Sequence, residues 1–300
     1  MVLRAARKVA DFDLHVRTVY MTTDAGAALI TVSELAKLID TDDKPVLLDV
    51  RWQVGLPALH SEYLAGHLPD AQWCDLDADL ADPPGAGGRH PLPEPQRLQQ
   101  RMREWGIDLN SPVVVYDGAT SVAASRAWWV LRWAGLTEVR VLDGGFAAWA
   151  GADLAVQREV STVPVGNVSI RPDSLPTLSA DQASQLAATG RLVDVRAPER
   201  YRGEFEPMDP VAGRIPGAVN LPTTETVAAD GTFMPADVLR KRFAEAGFDG
   251  SGAQVGVYCG SGVTAAQTVL AMHLAGISAT LYPGSWSEWI TDPTRRIATG

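Results

Sequence analysis

The chain has 300 residues, 46% hydrophobic and 21% charged, with a formal net charge of −10. That length suits two domains of ordinary size, and the acidic balance argues against nucleic acid or an anionic membrane as partner. No apolar run approaches the roughly 18 residues of a membrane span, Met1 to Tyr20 lacks the apolar core of an export signal, and the two cysteines, Cys74 and Cys259, make no disulfide framework, so the reducing cytoplasm is the expected compartment.

In chain order, Thr31–Leu38 reads as a helix capped by Thr31 or Ser33. A short apolar run ends in Asp49-Val50-Arg51, and Gly66-His67-Leu68-Pro69 follows as a turn. Val113–Tyr116 reads as a buried strand ending at Asp117. The next helix carries Trp128, Trp129 and Trp133, which are core and interface fillers, and Leu142-Asp143-Gly144-Gly145 closes the half. Residues 161–176, with three prolines and no helical periodicity, read as a linker.

The second half then repeats the first. Ser179–Ala188 is a helix capped by Ser179. Leu192–Arg196, Gly213–Ala218, Val255–Cys259 and Tyr282–Trp286 restate the earlier landmarks roughly 140 to 147 positions on. Two similar domains are expected, at 25–160 and 177–300. Short apolar runs alternating with helices imply an α/β fold, each domain a parallel sheet with helices on both faces. In such sheets functional loops lie at the carboxyl ends of strands. Cys259 occupies such a place, and Asp117 is its counterpart in the first half.

The loop at Cys259 carries the chemistry. Val255 and Val257 mark a buried strand, Gly260-Ser261-Gly262 is a small flexible loop, and Val263 to about Ala275 is a helix closed by Gly276. This order sets a thiol among backbone N–H groups at a helix N-terminus, an arrangement that favours anionic sulfur. Small residues let those N–H groups converge. Ser261 and Thr264 can add hydroxyl donors. Asp117 offers no thiol, so the first-half loop reads as structural, and Cys74 reads as core. Acidic residues show no metal-ligand spacing, and neither metal nor cofactor is expected. Arg51 and Arg196 read as partners of nearby carboxylates.

These motifs resemble the rhodanese family of sulfurtransferases in its tandem two-domain form, from about Thr31 to the C-terminus. The most specific parts are Cys259-Gly260-Ser261-Gly262-Val263-Thr264, similar to the active-site loop of 3-mercaptopyruvate sulfurtransferases, and Ala279–Trp289, similar to the C-terminal signature. Thiosulfate-preferring members carry Arg and Lys where this chain has Gly260 and Ser261. The resemblance implies two rhodanese-like domains, the first catalytically silent, and a Cys259 persulfide that passes sulfur from 3-mercaptopyruvate or thiosulfate to a thiol or cyanide. It also implies that Ser261 protonates the departing enolate, that Arg200 holds the donor anion beside Gly260, Gly262 and Val263, and that His67 assists proton transfer. Met208 stands where a second donor-binding arginine is usual, and Arg214 is a substitute for it. A phosphatase on the same scaffold needs an arginine six residues after the cysteine, and Ala265 stands there. The competing non-enzymatic reading is a sulfur-relay module loaded by a partner protein.

Overall fold

The computed structural model describes residues 28–300. The reading of Met1–Tyr20 lies outside the described residues. The first sheet holds β1 (Leu29–Ile30), β2 (Val46–Asp49), β3 (Gln72–Trp73), β4 (Val113–Tyr116) and β5 (Val139–Leu142). Its order is β1-β5-β4-β2-β3, all parallel. The second holds β6 (Leu192–Asp194), β7 (Val219–Asn220), β8 (Val255–Tyr258) and β9 (Ala279–Leu281), ordered β7-β6-β8-β9 and also parallel. A single parallel bridge from Thr177 to Leu281 takes the place that β1 has in the first sheet. Helices cover both sheets, as the alternating pattern predicts.

The repeat is physical as well as textual. In each domain an aspartate at a strand end grips an arginine two residues on. Arg51 donates to Asp49 from Nε (3.0 Å) and Nη2 (2.7 Å), and to the Gly66 carbonyl at 2.6 Å. Arg196 does the same to Asp194 (3.0 and 2.7 Å) and to the Gly213 carbonyl at 2.7 Å. All four side chains are buried. Truncating one partner of such a pair costs about 3–5 kcal/mol, because the other charge is stranded. The predicted helix starts hold too: Thr31 and Ser179 each form a capping box, with Glu34 and Gln182.

The central strands β4 and β8 are buried along their whole length, which explains why they are unbroken apolar runs. The helices that follow them, Val122–Trp133 and Val263–Leu274, pack on one another across the domains. Both are apolar nearly all round, as helices buried on every side must be. Trp128 of one and His273 of the other have ring centroids 5.8 Å apart. One continuous core therefore runs through both sheets, with Cys74 inside it. Burial pushes the Cys74 thiol pKa well up, as suits an inert core residue. Among the described residues no helix is long and apolar enough to cross a membrane.

Candidate active site

Cys259 follows β8 directly and is 2% exposed. The loop around it is fixed from two sides. Its N–H donates to Ser285 Oγ at 3.1 Å, and its carbonyl and that of Gly260 accept from Trp286 N–H (3.0 Å) and Ser287 N–H (2.9 Å). The Gly262 N–H points at Cys259 Sγ, 3.1 Å away. Gly262 has φ +80, and a Cβ there would lie 2.2 Å from the Pro283 carbonyl oxygen, so only glycine fits.

The counterpart loop shows what this geometry holds. Asp117 accepts four backbone N–H bonds, from Ser121 and Ala123 at 3.0 Å and from Ala119 and Ala124 at 3.2 Å. The same strand-loop-helix unit thus cradles a carboxylate in one domain and a sulfur atom in the other. Burial still pushes the Asp117 carboxyl up, with those four bonds opposing it.

Cys259 opens onto a cleft of about 390 Å³. Gly260, Ser261, Val263, Thr264, Arg200 and Met208 line one wall. The other wall comes from the first domain: Trp52, Val54, Leu56, Asp77, Arg89 and His90 among others. A smaller cavity of about 240 Å³, near Arg196 and Thr223, meets it at Cys259 and Thr264.

Three polar side chains form a chain into this cleft. His90 Nδ1 stands 2.8 Å from Ser261 Oγ, and its Nε2 stands 3.0 Å from Asp77 Oδ1. Asp77 also accepts from the Trp52 indole N–H at 3.2 Å. The His90 bond holds the Asp77 carboxyl below the usual carboxylate range, with burial opposing. A carboxylate only accepts, so Nε2 carries a proton toward Asp77, and Nδ1 faces the Ser261 hydroxyl.

Two guanidinium groups stand over Gly260. A Cβ built there would lie 2.8 Å from Arg89 Nη2 and 3.4 Å from Arg200 Nη2. Arg200 is held by Glu206 (2.6 Å) and Asp209 (3.4 Å), and Arg89 pairs with the other oxygen of Asp209. Burial pushes the Arg89 pKa down, and its nearness to Cys259 opposes that.

Two expected residues lie elsewhere. His67 is fully buried in the first domain, stacked on Tyr63 at 4.0 Å, with Nδ1 2.8 Å from the Tyr63 carbonyl oxygen. Arg214 lies over the Tyr201 ring at 4.4 Å and donates to the Tyr201 carbonyl at 3.3 Å. Neither lines the cleft. Both sit in the turn whose preceding carbonyl feeds the Asp–Arg clamp. Arg89, His90 and Asp77 line the cleft instead. The sequence signal for them is faint: a Gly87-Gly88 turn followed by Arg89-His90-Pro91 in a proline-rich loop.

The Rhodanese-like domain family matches residues 31–152 and again residues 179–292. The chain belongs to the rhodanese family. A Mycobacterium tuberculosis protein assigned as the thiosulfate sulfurtransferase SseB is 46% identical over 92% of this rhodanese and 98% of its own length. The 3-mercaptopyruvate sulfurtransferase of Escherichia coli K12 is 35% identical over 76% of this rhodanese and 82% of its own length. The crystal structure of SseA, a 3-mercaptopyruvate sulfotransferase from Escherichia coli, superposes with a TM-score of 0.76 at 31% identity, covering 87% of this chain and 99% of that one. EanB, bound to ergothioneine, shares the fold with a TM-score of 0.80 at 24% identity over 93% of this chain and 71% of its own. This rhodanese is a sulfurtransferase, and these relatives lend no support to a non-enzymatic relay.

Proposed function

We propose that the chain takes sulfur from 3-mercaptopyruvate, carries it as a persulfide on Cys259, and passes it to a thiol or cyanide. The observation that carries this reading is the Asp77–His90–Ser261 chain ending beside Cys259. Attack by the Cys259 thiolate on the donor sulfur forms an S–S bond as the donor C–S bond breaks. The electron pair of that bond becomes the pyruvate enolate, whose carbon needs a proton. The outer sulfur sheds one on becoming the persulfide anion, so the step balances. Ser261 Oγ hands its own proton to that carbon, His90 Nδ1 replaces it, and His90 takes up the proton that the outer sulfur sheds, with Asp77 holding the ring. Sulfite, leaving from thiosulfate, needs no proton, so this relay suits the keto acid.

Arg89 and Arg200 hold the donor carboxylate. The Gly262 N–H stabilises charge on Cys259 Sγ. An acceptor thiolate then attacks the outer sulfur, breaks the S–S bond and restores the Cys259 thiolate. A small thiol, cyanide or the thiol of a partner protein meets that chemistry. Both cysteines are free thiols, which fits work in the reducing cytoplasm.

Steady-state transfer to cyanide, with 3-mercaptopyruvate and thiosulfate side by side, tests the reading. The expected kcat/KM ratio favours mercaptopyruvate by about tenfold or more, roughly 1.4 kcal/mol, and Ser261→Ala shrinks that ratio. A preference for thiosulfate, or a ratio untouched by Ser261→Ala, overturns it.

A further inference from the structure

Arg126 lies mid-way along the helix Val122–Trp133 and is 0% exposed. Among the described residues its hydrogen bonds go to carbonyl oxygens and to no carboxylate. Nη2 donates to Leu80 and His90 at 3.1 Å and to Pro91 at 3.4 Å, and Nη1 donates to Gly262 at 3.4 Å. Its Nε has no partner. Burial pushes its pKa down to about 10, so it remains a cation near neutrality. Cys259 opposes that shift, but burying a guanidinium with no carboxylate bonded to it is costly, and its four acceptors show what the charge achieves. Leu80, His90 and Pro91 belong to the first domain. Gly262 belongs to the second, and its own N–H faces Cys259 Sγ. One rigid fork therefore joins the backbone that carries the His90 ring to the loop that carries the sulfur.

We propose that Arg126 is a positioning residue that locks the His90 loop onto the Cys259 loop, so that the first domain sets the geometry of the second domain's reaction. This rests on the reading of His90 as the proton relay. Arg126 touches neither donor nor sulfur and acts through His90. The dependence also supplies a reason for the first domain to stay fused, although its own loop has Asp117 in place of a nucleophile.

The test is a double-mutant cycle between Arg126→Lys and His90→Ala, read as kcat and KM for 3-mercaptopyruvate with thermal melts alongside. Lysine keeps the charge but not the fork. Arg126→Met, which replaces a buried charge with an apolar chain of similar length, is the parallel variant should lysine fail to fold. Arg126→Lys is expected to lower kcat about tenfold at unchanged KM and to cost nothing further in the His90→Ala background. The loss in Tm should persist in both backgrounds. Equal loss of kcat with and without His90, or a Tm loss at full kcat, overturns the proposal while leaving the relay intact. A His90→Ala protein with wild-type kcat removes the relay itself, and the role of Arg126 with it.

Discussion

Ser261 and His90 are 171 positions apart in the chain and 2.8 Å apart in the fold. One lies in the Cys259 loop of the second domain, the other in a proline-rich loop of the first. Their meeting makes the cleft a joint product of the two halves of the repeat.

His90→Ala should separate the two donors. With 3-mercaptopyruvate, losing a proton relay is expected to lower kcat by about 10²-fold, within the usual range for general acid–base groups. With thiosulfate the change should stay within a few-fold. Steady-state kinetics with both donors on one preparation checks this, and equal losses would argue against proton transfer as the role of His90.

Asp77 gives a pH signature. Its carboxyl is held below its ordinary value, with His90 as the main cause. A folded pKa lower than the unfolded one adds stability that is complete above the unfolded value and lost as pH falls through the folded value. The Tm advantage of the wild type over Asp77→Asn should therefore shrink below about pH 4. Thermal melts across that range measure it. At neutral pH the same variant should lose kcat with 3-mercaptopyruvate, because an acceptor-only carboxylate gives way to an amide that can also present an N–H to Nε2 and so no longer fixes the ring.

Arg89 and Met208 both line the cleft. Arg89→Ala should raise KM for 3-mercaptopyruvate about tenfold or more, in line with roughly 1.5–3 kcal/mol for a hydrogen bond to a charged group. Met208 lines the same cleft, so adding Met208→Arg to Arg89→Ala should recover part of the loss. No recovery, with a folded double variant, would mean that the two positions do not serve the same anion.

The two loop glycines should behave differently. A Cβ on Gly262 meets backbone at a positive φ, so Gly262→Ala should lower stability by roughly 3 kcal/mol. A Cβ on Gly260 meets the far ends of Arg89 and Arg200, which can move. Gly260→Ala should keep its Tm and raise donor KM. Denaturant titration and kinetics on the pair distinguish the two effects.

The sulfur-bearing half of the site was legible because its residues are contiguous. A strand, a cysteine, small loop residues and a helix follow one another from Val255 to Leu274, and local chemistry reads such runs. The helix starts at Thr31 and Ser179 were legible for the same reason, and the repeat exposed the Asp49–Arg51 and Asp194–Arg196 clamps. Asp77, Arg89 and His90 reach the cleft only through packing of the helices Val122–Trp133 and Val263–Leu274, and no spacing along the chain encodes that meeting. His67 lies outside the cleft, in a turn that matches Gly213–Pro216 across the repeat. That match reflects a shared backbone clamp: the Leu68 and Ile215 N–H groups donate to the Tyr116 and Tyr258 hydroxyls at 3.1 and 3.2 Å.

The central claim is that sulfur travels on Cys259. Intact-mass and peptide mass spectrometry after one equivalent of 3-mercaptopyruvate, with no acceptor present, tests it most directly. The account predicts one added sulfur atom on the peptide bearing Cys259, pyruvate released in equal amount, loss of that sulfur on adding cyanide, and no addition in a folded Cys259→Ser variant. Sulfur found on Cys74, or pyruvate released by Cys259→Ser at the wild-type rate, would contradict it.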